Sequence, residues 1–398
     1  MTEQTRGRAL DRVRPIVKES DSSPMAVMKR IMQENPDIVN QSIGEANFDP
    51  PAELLDIACT MLNDKVVRRS LYTTMRGLPE TRAAVAGYLE HWCGGGADPE
   101  QNLIITVGGT EALHLAVRVL LEPGDKVLLP DPGWGPAVGL CARQGAQIVF
   151  YPLMKTDAWT VDVDAILDRM DPSIKLLIVN SPSNPTGAMI TDPADWKRIL
   201  EAAREKGVFV ISDEVYHAYT YTGDYPSALP HDPTFENLLI VNSFSKGFAI
   251  MGWRLGFAVG HPWLIRQMDV YKESMTACAP SIAQWAMTGY LQDLSYSDEY
   301  LIRMRAMCRD NMDKMVAQLN AIPGVECLPA QGGFYLFPDF SAIEPNSAEM
   351  AQRLLRGGVA VAQGAAFGPH GEGCARLLFS AYWPEVDKAV GRIAAALT

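Results

Sequence analysis

Leu238-Leu239-Ile240-Val241-Asn242-Ser243-Phe244-Ser245-Lys246-Gly247-Phe248 begins as a buried strand and ends on hydroxyls, a lysine and a glycine. A continuous apolar run rich in branched side chains marks a strand covered on both faces, which belongs inside a layered α/β fold. A second such run, Leu255-Gly256-Phe257-Ala258-Val259, follows Gly252-Trp253-Arg254. A lysine at the mouth of a buried sheet is poorly hydrated, which favours the neutral amine that condenses with aldehydes. Most lysines are exposed and chemically idle, so the neighbours carry the argument here. Two serines and Arg254 close to the lysine are the donors that a dianionic phosphate needs.

A nucleophilic lysine beside a phosphate site points to pyridoxal phosphate. Outward from this stretch, residues 100–260 alternate short apolar runs with amphipathic ones. Candidate strands fall at 103–107, 126–130, 147–151, 175–180, 207–212, 238–243 and 255–259, with helical patterns at 111–121 and 193–206. The alternation predicts an α/β, three-layer fold with a mostly parallel central sheet. Ligands bind such sheets at the carboxyl ends of the strands, and nearly every polar motif follows an apolar run. Past residue 260 come long helical stretches over 263–320, short strands at 333–337 and 375–380, and a terminal helix after Pro384. That shift predicts a smaller α+β domain joined by the N-terminal segment. The expected division is 1–45 for the arm and part of the small domain, 46–290 for a large cofactor domain, and 291–398 for the small C-terminal domain. Gly94-Gly95-Gly96 lacks the lysine of a phosphate-gripping P-loop and reads as a flexible connection.

A net charge of −12 argues against nucleic-acid or anionic-membrane surfaces. No apolar run is long enough to cross a bilayer, and residues 1–20 are charged, without the apolar core of a signal peptide. Seven cysteines are scattered without metal-knuckle spacing, as expected of reduced thiols in a cytoplasmic protein. His114 and His217 lie near the motifs but do not cluster, and no metal is expected.

Four further motifs carry possible chemistry. Val107-Gly108-Gly109-Thr110-Glu111 is a strand end, a glycine turn and a helix start, where the first N–H groups favour an anion, although a plain tight turn fits equally. Ser181-Pro182-Ser183-Asn184-Pro185-Thr186-Gly187 is either a proline-fixed turn or a loop that aims the Asn184 amide. Asp213 ends the apolar run 208–212, and a buried carboxylate needs a partner such as a protonated pyridine nitrogen; capping the next segment is the commoner role. Arg376, in Ala375-Arg376-Leu377-Leu378, fits either a two-bond clamp on a carboxylate or a structural ion pair.

Taken together, these segments resemble the class I/II aminotransferases of the fold-type I pyridoxal-phosphate family. The resemblance runs from about Gly44 to Ser380 and rests on Asn-Pro-Thr-Gly at 184–187, Asp-x-x-Tyr at 213–216, Ser-x-Ser-Lys at 243–246 and Gly-Trp-Arg-Leu-Gly at 252–256. It implies pyridoxal 5′-phosphate as cofactor, held by Lys246 as an internal aldimine. Asp213 would pair with the ring nitrogen, Asn184 and Tyr216 would bond the phenolic oxygen, and Trp134 would stack on the ring. Gly109, Thr110, Ser243 and Arg254 would hold the phosphate, joined by Tyr72 from the neighbouring subunit of a homodimer. Arg376 would clamp the substrate α-carboxylate, with Gly44 contacting the same group. The implied activity is transfer of an amino group between an amino acid and a 2-oxo acid, with Lys246 as acid and base.

Two departures from the family pattern bear on substrate. Thr110 stands where an aspartate-using subgroup has a lysine, which disfavours that way of reading an acidic side chain and slightly favours a neutral or aromatic one. Gln363 stands where relatives often have proline before the Gly364–Phe367 turn. Rival readings are a pyridoxal-phosphate enzyme of another outcome (β-lyase, cyclase or oxidase) and a non-catalytic sensor built on the same fold.

Overall fold

The computed structural model describes residues 24–64 and 68–398; the charged stretch 1–20 lies outside the described residues. The strands are β1 (Val39–Gln41), β2 (Leu103–Thr106), β3 (Lys126–Asp131), β4 (Gln147–Pro152), β5 (Ile174–Asn180), β6 (Phe209–Asp213), β7 (Leu238–Ser243), β8 (Gly256–Gly260), β9 (Tyr335–Leu336), β10 (Val359–Gln363) and β11 (Ala375–Leu378). Seven of them form one sheet in the order β2-β8-β7-β6-β5-β3-β4. The pairs β3–β4, β3–β5, β5–β6 and β6–β7 are parallel, whereas β8 is antiparallel to both β2 and β7. This is the α/β fold with a mostly parallel central sheet expected from the alternating pattern.

Both faces of the sheet are covered, which is why its strands read as unbroken apolar runs. Successive residues of one strand enter opposite cores: Leu238 and Ile240 pack on one side, Leu239 and Val241 on the other. The helices Gly108–Leu120 and Pro262–Met275 close the second side, through residues such as Leu115 and Met268. On the first side lie Trp196 and Ile199 of the helix Pro193–Lys206. That helix has the bounds expected from sequence. Asp192 caps it through the Ala194 N–H at 2.8 Å, Pro193 occupies its first turn, and Gly207 ends it with φ +71°.

A second sheet, in the order β1-β10-β11-β9, joins the segment around residue 40 to the C-terminal part of the chain. Three helices, Pro262–Met275, Ser281–Leu291 and Leu294–Asn320, occupy the stretch between the sheets. The Gly94-Gly95-Gly96 run lies in the connection between the helix Pro79–Cys93 and β2. Gly94 adopts φ +66° as the left-handed stop of the helix Pro79–Cys93, and a side chain on Gly95 would come within 2.7 Å of Leu229. Among the described residues no helix is long and apolar enough to cross a membrane, and no group of acidic, histidine and cysteine side chains could hold a metal ion.

Candidate active site

The carboxyl ends of β5, β6 and β7 open onto one cavity of about 850 Å³. Strand register brings Asn180 beside Asp213, and Ser243 opposite Gly256. Lys246, Gly44, Gly109, Thr110, Trp134, Asn184, Asp213, Tyr216, Ser243, Arg254 and Arg376 all line the cavity. Tyr72 does not; its side chain is 89% exposed.

Asp213 lies on the cavity wall as a buried carboxylate whose hydrogen bond is a long one (3.4 Å) from the Val215 N–H. Burial, assisted by the neighbouring Glu214 charge and opposed by that N–H, pushes its carboxyl up to about 7. Among the described residues no cation is paired with this side chain, and a buried carboxylate calls for one. Asn180 fixes the surroundings, donating to the Asp213 carbonyl (3.1 Å) and accepting from the Asn184 N–H (2.8 Å). Glu214 serves structure instead. It accepts from Ser212, Ser227 and the Ala228 N–H at 2.8–3.0 Å. His217 is bonded to Tyr88 (2.8 Å), burial lowers it to about 4, and it does not line the cavity.

One end of the cavity is shaped for an anion. Gly109 and Thr110 open the helix Gly108–Leu120, whose free N–H groups and dipole favour negative charge. Gly108 has φ +74°, and a Cβ there would strike the Arg254 guanidinium at 2.6 Å, so the turn and the arginine are pressed together. Arg254 donates to the carbonyls of Met251 (2.9 Å) and Val107 (3.3 Å). The Ser243 hydroxyl is occupied: it donates to the Leu255 carbonyl (3.1 Å) and accepts from the Ser245 N–H (3.2 Å), capping the helix Phe244–Gly247 that carries Lys246. Ser245 Oγ, by contrast, is buried without a partner and lines the cavity. Ser245 is the hydroxyl left free for a ligand. Sequence supplied both serines, and only the capping geometry distinguishes them.

The opposite wall comes from the second sheet and the segment after β1. Lys246 Nζ donates to the Gly44 carbonyl. Tyr335, which had no assigned role, bonds the Tyr216 hydroxyl at 2.7 Å. A side chain at Gly44 would strike that Tyr335 hydroxyl at 2.4 Å. Arg376 is buried between two rings, 4.5 Å from the Tyr335 centroid and 5.0 Å from that of Phe367. Its Nη1 donates to Asn184 Oδ1 (2.9 Å) and its Nη2 to the Ser42 carbonyl, while Nε is buried without a partner. Trp134 lies half-buried beside this wall, and its loop is tied down by the Gly133 N–H donating to the Phe367 carbonyl (2.8 Å). The arrangement can hold a phosphorylated ring with a basic nitrogen near Asp213, an aldehyde near Lys246 and a carboxylate near Arg376.

The family model for Aminotransferase class I and II matches residues 36–393. The chain is 31% identical, over 379 residues, to a probable aspartate/prephenate aminotransferase of Thermus aquaticus, covering 94% of this chain and 96% of the relative. It is 30% identical to aromatic-amino-acid aminotransferase 2 of Thermococcus litoralis, covering 89% and 90%. Among solved structures, the aspartate aminotransferase from Thermus thermophilus with maleate superposes with a TM-score of 0.90 at 29% identity, over 97% of this chain and 99% of that one.

Proposed function

Because the chain belongs to the class I and II aminotransferases, we propose that it transfers an amino group from an L-amino acid with a neutral or aromatic side chain to a 2-oxo acid, using pyridoxal 5′-phosphate joined to Lys246. The observation that carries this reading is a buried carboxylate, Asp213, with no cation paired to it among the described residues, in one cavity with a lysine amine, an anion-shaped helix start and a ring-sandwiched arginine. Each feature has its counterpart in pyridoxal 5′-phosphate and its substrate: ring nitrogen, aldehyde, phosphate and carboxylate. When bound, the cofactor supplies an electron-accepting ring for the pair left by a breaking Cα bond.

The chain's own groups then have distinct tasks. Asp213 holds a proton on the ring nitrogen, because its buried charge is stabilised only by a cation. Ser245, Thr110, Arg254 and the Gly109 N–H hold the phosphate, and Ser243 shapes that end of the cavity by capping the turn that carries Ser245 and Lys246. Lys246 Nζ takes the substrate Cα proton and returns a proton on the cofactor side. Tyr216 and Asn184 orient the ring, and Arg376 grips the substrate carboxylate, with Gly44 close to the same group. We assign cofactor binding to the large domain, 46–290, and part of the substrate grip to the flanking segments 1–45 and 291–398.

Side-chain preference follows from the lining. Among the described residues there, the only cations are Lys246, Arg254 and Arg376, each with a role above, and Glu45 adds negative charge. Met28, Ile43, Leu113, Leu355 and Val361 make much of the remaining wall apolar, which suits a neutral side chain better than the acidic one named for several relatives. We also propose a homodimer acting in the cytoplasm. Exposed apolar side chains accumulate at Leu71, Tyr72, Val270, Met275 and Ile282. Gln284, in the same helix as Ile282, holds the Tyr72 segment by accepting from the Leu78 N–H (2.8 Å) and donating to Thr73 (3.1 Å). A second copy would cover this face and receive Tyr72 at its phosphate site. Sedimentation showing a monomer at working concentration would remove that part of the proposal.

The cofactor-loaded protein should convert a neutral or aromatic amino acid to its 2-oxo acid once per site, then continue only when an acceptor oxo acid is added. Sustained release of ammonia, sulfide or peroxide without acceptor would favour a lyase or oxidase instead. Arg376→Lys removes the planar fork and the ring sandwich, so KM for amino and oxo acids should rise by roughly 10- to 100-fold. Bound cofactor should stay unchanged, as measured by its absorbance after gel filtration.

A further inference from the structure

Glu111 follows Thr110 in the first turn of the helix Gly108–Leu120, but its carboxylate lies behind the cavity wall rather than on it. The carboxylate reaches back to accept the Val107 N–H (2.6 Å), Lys272 Nζ (2.5 Å) and the Thr276 hydroxyl. It thereby pins the turn that shapes the anion site. Lys272 is fully buried at the end of the helix Pro262–Met275, and it also donates to Thr276 Oγ1 (3.2 Å). A carboxylate at a helix N-terminus competes for the positive end that a phosphate uses, and its charge repels a dianion. Asp269, on the same helix and within electrostatic reach of Lys272 and Arg76, adds another negative group; His114 is the titratable neighbour on the Glu111 helix.

We propose that Lys272 is a positioning residue for the phosphate site, cancelling the Glu111 charge so that Glu111 shapes the turn without repelling the phosphate behind which it lies. This rests on the reading of the cavity as a pyridoxal 5′-phosphate site. Lys272→Met leaves a buried, unneutralised carboxylate next to the site, and removing one partner of such a pair is far costlier than removing both. The charge account therefore makes a specific prediction: Glu111→Gln/Lys272→Met, which keeps an acceptor for the Val107 N–H but carries neither charge, behaves better than Lys272→Met alone.

The test measures dissociation of pyridoxal 5′-phosphate, and of pyridoxal (which lacks the phosphate), from the full-length wild type and both variants. Lys272→Met should weaken the phosphorylated form by roughly 10- to 100-fold and leave pyridoxal essentially unchanged. The double variant should recover most of the loss. Unchanged affinity in Lys272→Met, equal weakening of both ligands, or no recovery in the double variant overturns the proposal. Should Lys272→Met fail to fold, a phosphate-specific loss in the double variant overturns it on its own. A wild type that binds no pyridoxal 5′-phosphate would instead defeat the cofactor reading itself, so the two failures are distinguishable.

Discussion

Lys246→Ala should lower turnover by roughly four orders of magnitude and remove the visible absorption of cofactor joined to the protein. The residue sits in a single helical turn, Phe244–Gly247, directly after the buried strand β7, and its amine already reaches across the cavity to the Gly44 carbonyl. No other lysine lines the cavity among the described residues, so no second amine stands ready to take the Cα proton. The fold should survive. Lys246 is partly exposed to the cavity and caps nothing, whereas Ser243, which does cap that turn, is left in place. Steady-state kinetics and circular dichroism on the same preparation check both halves; activity within a hundredfold of wild type would remove Lys246 from its role.

Asp213→Asn should cost about 100- to 1000-fold in turnover, and it carries a second, opposite signature in stability. In the cofactor-free chain burial raises the Asp213 carboxyl from 3.8 to about 7. Between those values the folded chain holds a proton that the unfolded chain has lost. Stability therefore falls as pH rises from about 4, and above about 7 the full penalty stands, at most about 4 kcal/mol. Asparagine carries no such charge. Cofactor-free Asp213→Asn should thus melt above cofactor-free wild type, by a margin that grows from pH 5 to pH 8. Glu214, also pushed up to about 7 by burial, remains in both proteins and does not create the difference. Adding pyridoxal 5′-phosphate should stabilise wild type more than the variant, because only wild type has a carboxylate to gain from a ring cation. A margin that shrinks toward pH 8 would mean that the Asp213 charge is not the cost assigned to it.

Much of this was legible in the sequence because the central strands are buried on both faces. That burial leaves runs such as 238–243 with the same limits in sequence and structure. It also leaves each strand end marked by polar residues, which is how Asp213 and Ser243 stand out. The second sheet was less visible. Its β1 is three residues long, β10 is short and alanine-rich, and β1 pairs with a strand more than three hundred residues away. The roles of Tyr335 and Phe367 depend on such distant contacts, since nothing local to either residue announces a ring placed against Arg376. Ser245 was hidden for a different reason. Two serines flank one phenylalanine, and only hydroxyl direction decides which caps the helix and which faces the cavity.

The central claim is that Lys246 is the amine that carries the cofactor, and borohydride reduction tests it most directly. Wild-type protein loaded with pyridoxal 5′-phosphate is reduced, digested and mapped by mass spectrometry. The predicted result is one modified lysine, Lys246, with that modification lost when a neutral amino acid is added before the reductant. Modification spread over surface lysines, or fixed at another residue and indifferent to amino acid, would contradict the claim.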